Sequence, residues 1–251
     1  MRIKLTLLPE KDKSLNLNYN YFISSWIYHI LKNSNLEYAE KLHEEGYKYG
    51  SKIFKLFTFS QLRCKNVQVD RENIKFMDNT YLFISSPKAE FLVNFVKQLV
   101  NESYLIIQDY KFEIKLVETL KEPDFKEVNK FICLSPVISS TAKMKNGKKV
   151  PWNLSINDEA FVDNIKSNII EKYFVLNNTL PDNLSINIEF DQEYISKHPK
   201  GKLINFKNIP VKGYMAPFIM SGNKELIKVA YNCGIGEKNS AGFGMIEIIN
   251  A

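Results

Sequence analysis

Residues 2–8, RIKLTLL, alternate apolar and polar side chains, the period of a strand with one buried face. From Tyr21 to Lys32 the apolar residues Phe22, Ile23, Trp26, Ile27 and Ile30 recur at helical spacing. A second short helix follows, with Asn35 placed as N-cap and Gly46 as C-terminal stop. Residues 53–62 (IFKLFTFSQL) alternate strongly, are rich in aromatics and predict one continuous strand. YLFISS (81–86) predicts another strand, residues 88–100 a helix, and residues 104–117 one or two strands. The order β-α-β-β-α-β over about 117 residues is the split βαβ arrangement of ferredoxin-like domains.

After a linker at 120–125 (LKEPDF) the order recurs without an alignable repeat of sequence. FICLSPVIS (131–139) predicts a strand, and 158–174 a helix with Phe161, Ile165, Ile169 and Tyr173 on one face. Residues 184–190 and 202–219 read as strands, 222–232 as a helix and 243–249 as the last strand. The expected fold is α+β: two ferredoxin-like (RRM-like) domains in tandem, residues 1–119 and 125–251. Element boundaries are least determined over 142–157 and 191–202.

Apolar residues at 45% and charged residues at 25% are the globular average, which excludes a wholly disordered chain. No uncharged run reaches the roughly 18–20 apolar residues of a membrane span. The strand-like pattern starts at residue 2, leaving no room for a signal peptide, so a soluble cytoplasmic protein is expected. The net charge is +6, but residues 141–150 hold four lysines, residues 195–212 hold five, and neither segment holds an acid. The rest of the chain has 25 basic residues against all 28 acidic ones, so the protein is basic in patches. Such patches suit a polyanion, and two solvated lysine loops are the plainer alternative. Cys64, Cys133 and Cys233 lie far apart without a CxxC pair and read as structural thiols. His29, His43 and His198 include no i,i+4 pair, so neither a metal site nor a cofactor is expected.

Four of the ten glycines (Gly234, Gly236, Gly242 and Gly244) fall within eleven residues. No Gly-Lys-Ser/Thr follows at Walker spacing, and the segment runs from a helix into a strand, the reverse of a Rossmann fingerprint. A helix, then GxGxxxxxGFG, then a final apolar strand in a two-domain ferredoxin-like chain resembles the RAMP superfamily of CRISPR-associated proteins. HEEGYKYGSKIFKLFTFSQL, with a histidine ahead of a K-L-F-T-F-S strand, is similar to the family of endoribonucleases that process CRISPR repeat RNA. RIKLTLLPE and SSWIYHILKNSN look similar to that family as well, whereas residues 120–210 contribute little.

The resemblance implies metal-independent cleavage by the 2′-OH, giving 2′,3′-cyclic phosphate and 5′-OH ends. It places a general base at His43, a phosphate-side cation at Lys55 and a triad tyrosine at Tyr28. His43 near a helix end could equally be a solvated cap, Lys55 a snorkelling edge residue and Tyr28 a rim aromatic. Tyr28 shares a helical flank with Ser24, Ser25 and Lys32, and His29, about 100° round the helix, is its rival. His198, in a lysine-rich loop, is read as an RNA contact or as solvent-exposed. RNA phosphate is expected on the glycine-loop backbone with Lys238, Asn239 and Ser240 as donors, and on Lys143, Lys145, Lys148 and Lys149. The alternative for the loop is a purely structural brace. Three functions stay open: a repeat-RNA endoribonuclease, a non-catalytic RAMP subunit of an effector complex, and a ferredoxin-like interaction or regulatory module. Repeat RNA is the expected partner, no membrane is involved, and a homodimer is left open.

Overall fold

Each half of the chain builds an antiparallel sheet with helices on one face. The computed structural model describes residues 1–145 and 147–249. In the first sheet the strands run in the order Tyr110–Leu120, Arg2–Pro9, Thr80–Ser85, Thr58–Phe59, with Tyr104–Ile107 added as a hairpin at one edge. In the second the order is Ile186–Phe190, Phe218–Gly222, Val128–Cys133, Ile246–Ile248. Both orders are ferredoxin-like, with the two central strands antiparallel neighbours of later ones.

The helices are α1 (Asn20–Ser34), α2 (Leu36–Glu44), α3 (Ala89–Leu99), α4 (Glu159–Asn177), α5 (Gln192–Lys197) and α6 (Lys224–Cys233). Alternation along residues 2–8 buries Ile3, Leu5 and Leu7 against α1 and α3. Trp26 of α1 meets Phe95 edge-on, and Phe57, Phe91 and Phe95 stack in series beneath it. Asn35 caps α2 through the Tyr38 amide, and Gly46 follows with φ +61°. The second core gathers Phe131, Phe161, Phe190 and Phe218 under α4 and α6.

Several expected elements differ. The strand expected over 53–62 is broken: Lys52–Phe54 pairs with Tyr47–Tyr49, Leu56 takes φ +52°, and only Thr58–Phe59 joins the main sheet. The break sends Phe54 and Leu56 to the second core, and Phe57 and Phe59 to the first. Residues 202–219 form a hairpin, Lys202–Phe206 with Ile209–Gly213, ahead of the sheet strand at Phe218. Residues 104–117 hold two strands, as the pattern allows, paired as a hairpin. Residues 142–157 hold most of a further hairpin, Ser140–Lys145 with Lys148–Asn153, and 191–202 hold α5. A small sheet of Leu15–Asn16, Val67–Asp70 and Asn73–Phe76 had no counterpart in the sequence pattern.

The two halves meet closely. Arg2, 1% exposed, donates to Glu247 at 2.7 Å and to the carbonyls of Tyr231 and Ile246 at 2.9 Å. Its guanidinium also lies 3.7 Å from the centre of the Tyr231 ring. The glycine loop occupies a second junction and leads directly to the site.

Candidate active site

Asn20, Ser24 and Tyr28 recur every fourth residue along α1, so they share one flank. Asn20 Nδ2 donates to the Gly242 carbonyl at 3.0 Å, and Ser24 Oγ to the Ser240 carbonyl at 2.8 Å. One turn further, Tyr28 is half-buried, and burial pushes its phenol well above the ordinary tyrosine range while the nearby Ser240 side chain opposes the shift. The His43 ring stands edge-on to Tyr28 with centroids 5.0 Å apart, and Phe57 backs the tyrosine at 5.6 Å.

His43 lies in the last turn of α2 with its side chain 61% exposed, and its Nδ1 pairs with Glu44 Oε1 at 2.9 Å. Lys55 reaches the same place from the segment just before the Leu56 break. Its Nζ donates to the His43 carbonyl at 2.6 Å. Partial burial lowers the Lys55 ammonium pKa, with Glu44 acting in the opposite direction. Tyr28, His43 and Lys55, far apart in sequence, therefore form one cluster beside Ser240.

His29 is excluded from that cluster. It is exposed and its Nε2 meets Asn33 Nδ2 at 3.0 Å. His198 stacks on Tyr194 in the exposed end of α5, with centroids 4.3 Å apart.

A cleft of about 700 Å³ opens alongside, walled by Lys55, Lys149, Lys172, Lys238, Asn239 and Ser240 among others. Tyr28 and His43 join it through Ser240 and Lys55 rather than lining it. Of the hairpin lysines, Lys149 lines the cleft, Lys143 sits 4.0 Å from the centre of the Trp152 ring, and Lys148 is exposed. The Lys145 side chain lies outside the described residues. The hairpin is tied to the loop by Glu237, which accepts from Ser140 N at 2.8 Å and from Ser140 Oγ at 2.7 Å.

The glycine loop is shaped by the protein itself. All four glycines are buried with positive φ. A Cβ on Gly236 (φ +65°) would fall on the Ile138 carbonyl oxygen, and one on Gly244 (φ +72°) on that of Ile235. Asn239 is also engaged internally, donating to the carbonyls of Ile235 at 3.1 Å and Phe243 at 3.0 Å. The loop residues left for a ligand are the exposed Lys238 and the half-buried Ser240.

Lys172 escaped the sequence reading. It is 1% exposed on α4, and its Nζ donates to Gly234 O at 2.8 Å, Gly236 O at 3.1 Å and Asn239 Oδ1 at 2.7 Å. Three N–H groups meet three acceptors, so the charge is buried fully matched. A signal existed: Lys172 follows Ile165 and Ile169 on their apolar stripe. Among the described residues no three His, Cys, Asp or Glu side chains gather as a metal site requires. Cys133 and Cys233 are buried thiols whose pKa burial pushes up to about 12, and Cys64 is half-buried. No helix among the described residues is long and apolar enough to cross a membrane.

Known proteins are similar to this chain over nearly its whole length. Residues 14–118 match the family model for the N-terminal part of CRISPR-associated protein Cas6, and residues 120–248 match the model for its C-terminal part. CRISPR-associated endoribonuclease Cas6 1 of Methanocaldococcus jannaschii is 34% identical over 98% of this chain and 92% of its own length. CRISPR-associated endoribonuclease Cas6 of Pyrococcus furiosus is 28% identical over 99% of this chain and 90% of its own. The solved structure of a Cas6-related gene product of Pyrococcus furiosus superposes with a TM-score of 0.88 at 28% identity, covering 100% of this chain and 98% of that one. A RAMP protein binding different RNA substrates superposes at 0.86 and 25% identity over the whole of both chains. Two matched halves, a relative similar over nearly the full length and a shared tandem ferredoxin-like fold place this chain in the Cas6 family of CRISPR-associated proteins.

Proposed function

We propose that the protein is a metal-independent endoribonuclease that cuts CRISPR repeat RNA by 2′-OH attack to release guide RNAs. The observation that carries this reading is the Tyr28–His43–Lys55 cluster, set against Ser240 at a lysine-walled cleft. The endoribonuclease names of the relatives support it.

Glu44 holds His43 Nδ1, which leaves Nε2 to take the proton of the 2′-OH. The freed 2′-oxygen attacks phosphorus, the bond to the 5′-oxygen breaks, and that oxygen takes a proton from water to leave as a hydroxyl, while His43 returns its proton to the solvent. Lys55 uses one N–H on the His43 carbonyl and keeps two for the pentavalent phosphate, whose added negative charge an ammonium stabilises. Tyr28, held neutral by its raised pKa, orients the imidazole and offers an O–H donor throughout the working pH range. Residues 1–119 supply the reacting groups, and residues 125–251 grip RNA through Lys143, Lys145, Lys148, Lys149, Lys238 and Ser240. The reaction is assigned to the cytoplasm, where the precursor transcript is made.

The test is single-turnover cleavage of a repeat RNA in EDTA. Products with 2′,3′-cyclic phosphate and 5′-OH ends are expected, with no cleavage when the attacking nucleotide is 2′-deoxy. Strict Mg²⁺ dependence with 3′-OH products would overturn the mechanism. Tight binding without any cleavage would leave the non-catalytic subunit as the reading.

A further inference from the structure

The chain has two tryptophans, and the fold treats them oppositely. Trp26 is 7% exposed in the first core. Trp152 is 50% exposed on the hairpin Ser140–Lys145/Lys148–Asn153, and Met144 on the same hairpin is 66% exposed. A two-stranded hairpin has no core of its own to cover these side chains.

The register sorts the hairpin by face. Thr141 opposes Trp152 and Lys143 opposes Val150, so these side chains share one face, and Lys143 Nζ lies 4.0 Å from the Trp152 ring centre. Residues 141–150 carry no acid. An indole half open to water, with an ammonium against it and further lysines beside it, suits a ligand that brings a flat ring together with a negative charge. A nucleotide in single-stranded RNA is that ligand: its base stacks on the indole while the adjoining phosphate takes the lysine. A paired base in an A-form duplex is already stacked and cannot be offered this way. The Ser140–Glu237 bonds tie the hairpin to the loop bearing Lys238 and Ser240, so the platform has a fixed position relative to the Tyr28–His43 cluster.

We infer that Trp152 is a base-stacking subsite for a single-stranded part of the RNA substrate, with Lys143 as its phosphate partner. This rests on the RNA-cleaving reading above and adds a substrate class to it: RNA unpaired where it crosses this hairpin.

Tryptophan emission tests it, because Trp26 is sequestered. A single-stranded repeat RNA is titrated into the wild-type protein, with a fully paired duplex of the same sequence in parallel. Quenching by the single strand alone, abolished in Trp152→Phe while RNA binding persists, is expected. Trp152→Ala should weaken single-strand affinity by about 5- to 150-fold, the range for one stacked base, with Trp152→Phe recovering most of it. Single-strand binding that neither quenches Trp152 nor weakens in Trp152→Ala overturns this inference and leaves the cleavage reading standing. Equal quenching by the duplex overturns the single-strand assignment. Failure to bind either RNA overturns both readings.

Discussion

Replacing Lys172 with methionine probes what holds the glycine loop in place. The side chain keeps its unbranched shape, one atom shorter, and loses its charge and three donors, leaving the carbonyls of Gly234 and Gly236 and Oδ1 of Asn239 without them. Orphaned buried acceptors cost about 1–3 kcal/mol each, so three cost roughly 6 kcal/mol. An opposing effect is relief of the buried charge. Desolvation lowers the Lys172 pKa from 10.5 to about 8, and that drop corresponds to about 3 kcal/mol of penalty on the ammonium at neutral pH. The orphaned acceptors win, and Lys172→Met should be about 3 kcal/mol less stable than wild type at pH 7. For a chain of this size that is a Tm lower by about 6–12 °C.

The stability difference between wild type and variant depends on pH. Between about 8 and 10.5 the unfolded state holds the Lys172 proton that the folded state has released, so this group makes stability rise with pH in that window. Methionine cannot titrate, so the gap between wild type and variant should widen from pH 7 toward pH 10 in chemical denaturation followed by circular dichroism. A variant within about 1 kcal/mol of wild type would refute the role of the three bonds. A gap that narrows as pH rises would show that folding raises the Lys172 pKa instead of lowering it.

His43→Ala should slow single-turnover cleavage by about 10²–10⁴ with little change in RNA affinity, whereas His29→Ala, whose ring faces Asn33, should be mild. Replacing Lys143, Lys145, Lys148 and Lys149 together with alanine should flatten the salt dependence of binding, by about 0.7–0.9 in the log–log slope for each phosphate no longer neutralised. Gly244→Ala should cost more than about 2 kcal/mol, because a left-handed φ strains any Cβ and this one meets the Ile235 carbonyl. Calorimetry alongside the cleavage assay would separate that loss of stability from loss of chemistry.

The sequence pattern carried the fold where one face of an element is buried and the other wet. Residues 2–8, α1, α3 and α4 are of that kind, and so is the Asn35 cap, a local hydrogen bond with a residue-type signature. It did not carry the break at Leu56. Leucine has no preference for φ +52°, and alternation on either side reads the same whether the chain runs on or switches cores. The hairpins at 67–76, 140–153 and 202–213 pair outside the two main sheets, so the βαββαβ order of elements has no place for them. The Tyr28–His43–Lys55 cluster was legible only through family resemblance, since its members come from two helices and a broken strand. The glycines were legible as a loop of unusual backbone. Their cause lay in carbonyls distant in sequence, such as Ile138 against Gly236, which no local pattern contains.

That cause bears on how the site is assembled. A loop selected only to approach phosphate would expose its glycines, and these are buried against their own chain. The C-terminal half fixes the loop from one side through Lys172 on α4. The N-terminal half fixes it from the other, through Asn20 and Ser24 on α1 and through Thr58 Oγ1, which donates to the Phe243 carbonyl at 3.1 Å. Ser240 lies between these attachments, bonded through its carbonyl to Ser24 and beside Tyr28, whose ring meets that of His43 edge-on. Placing catalytic groups to within a fraction of an ångström requires support locked by packing and hydrogen bonds. In this chain the glycine loop is held from both halves at once, which fixes the position of its Lys238 and Ser240 side chains relative to the Tyr28–His43 pair.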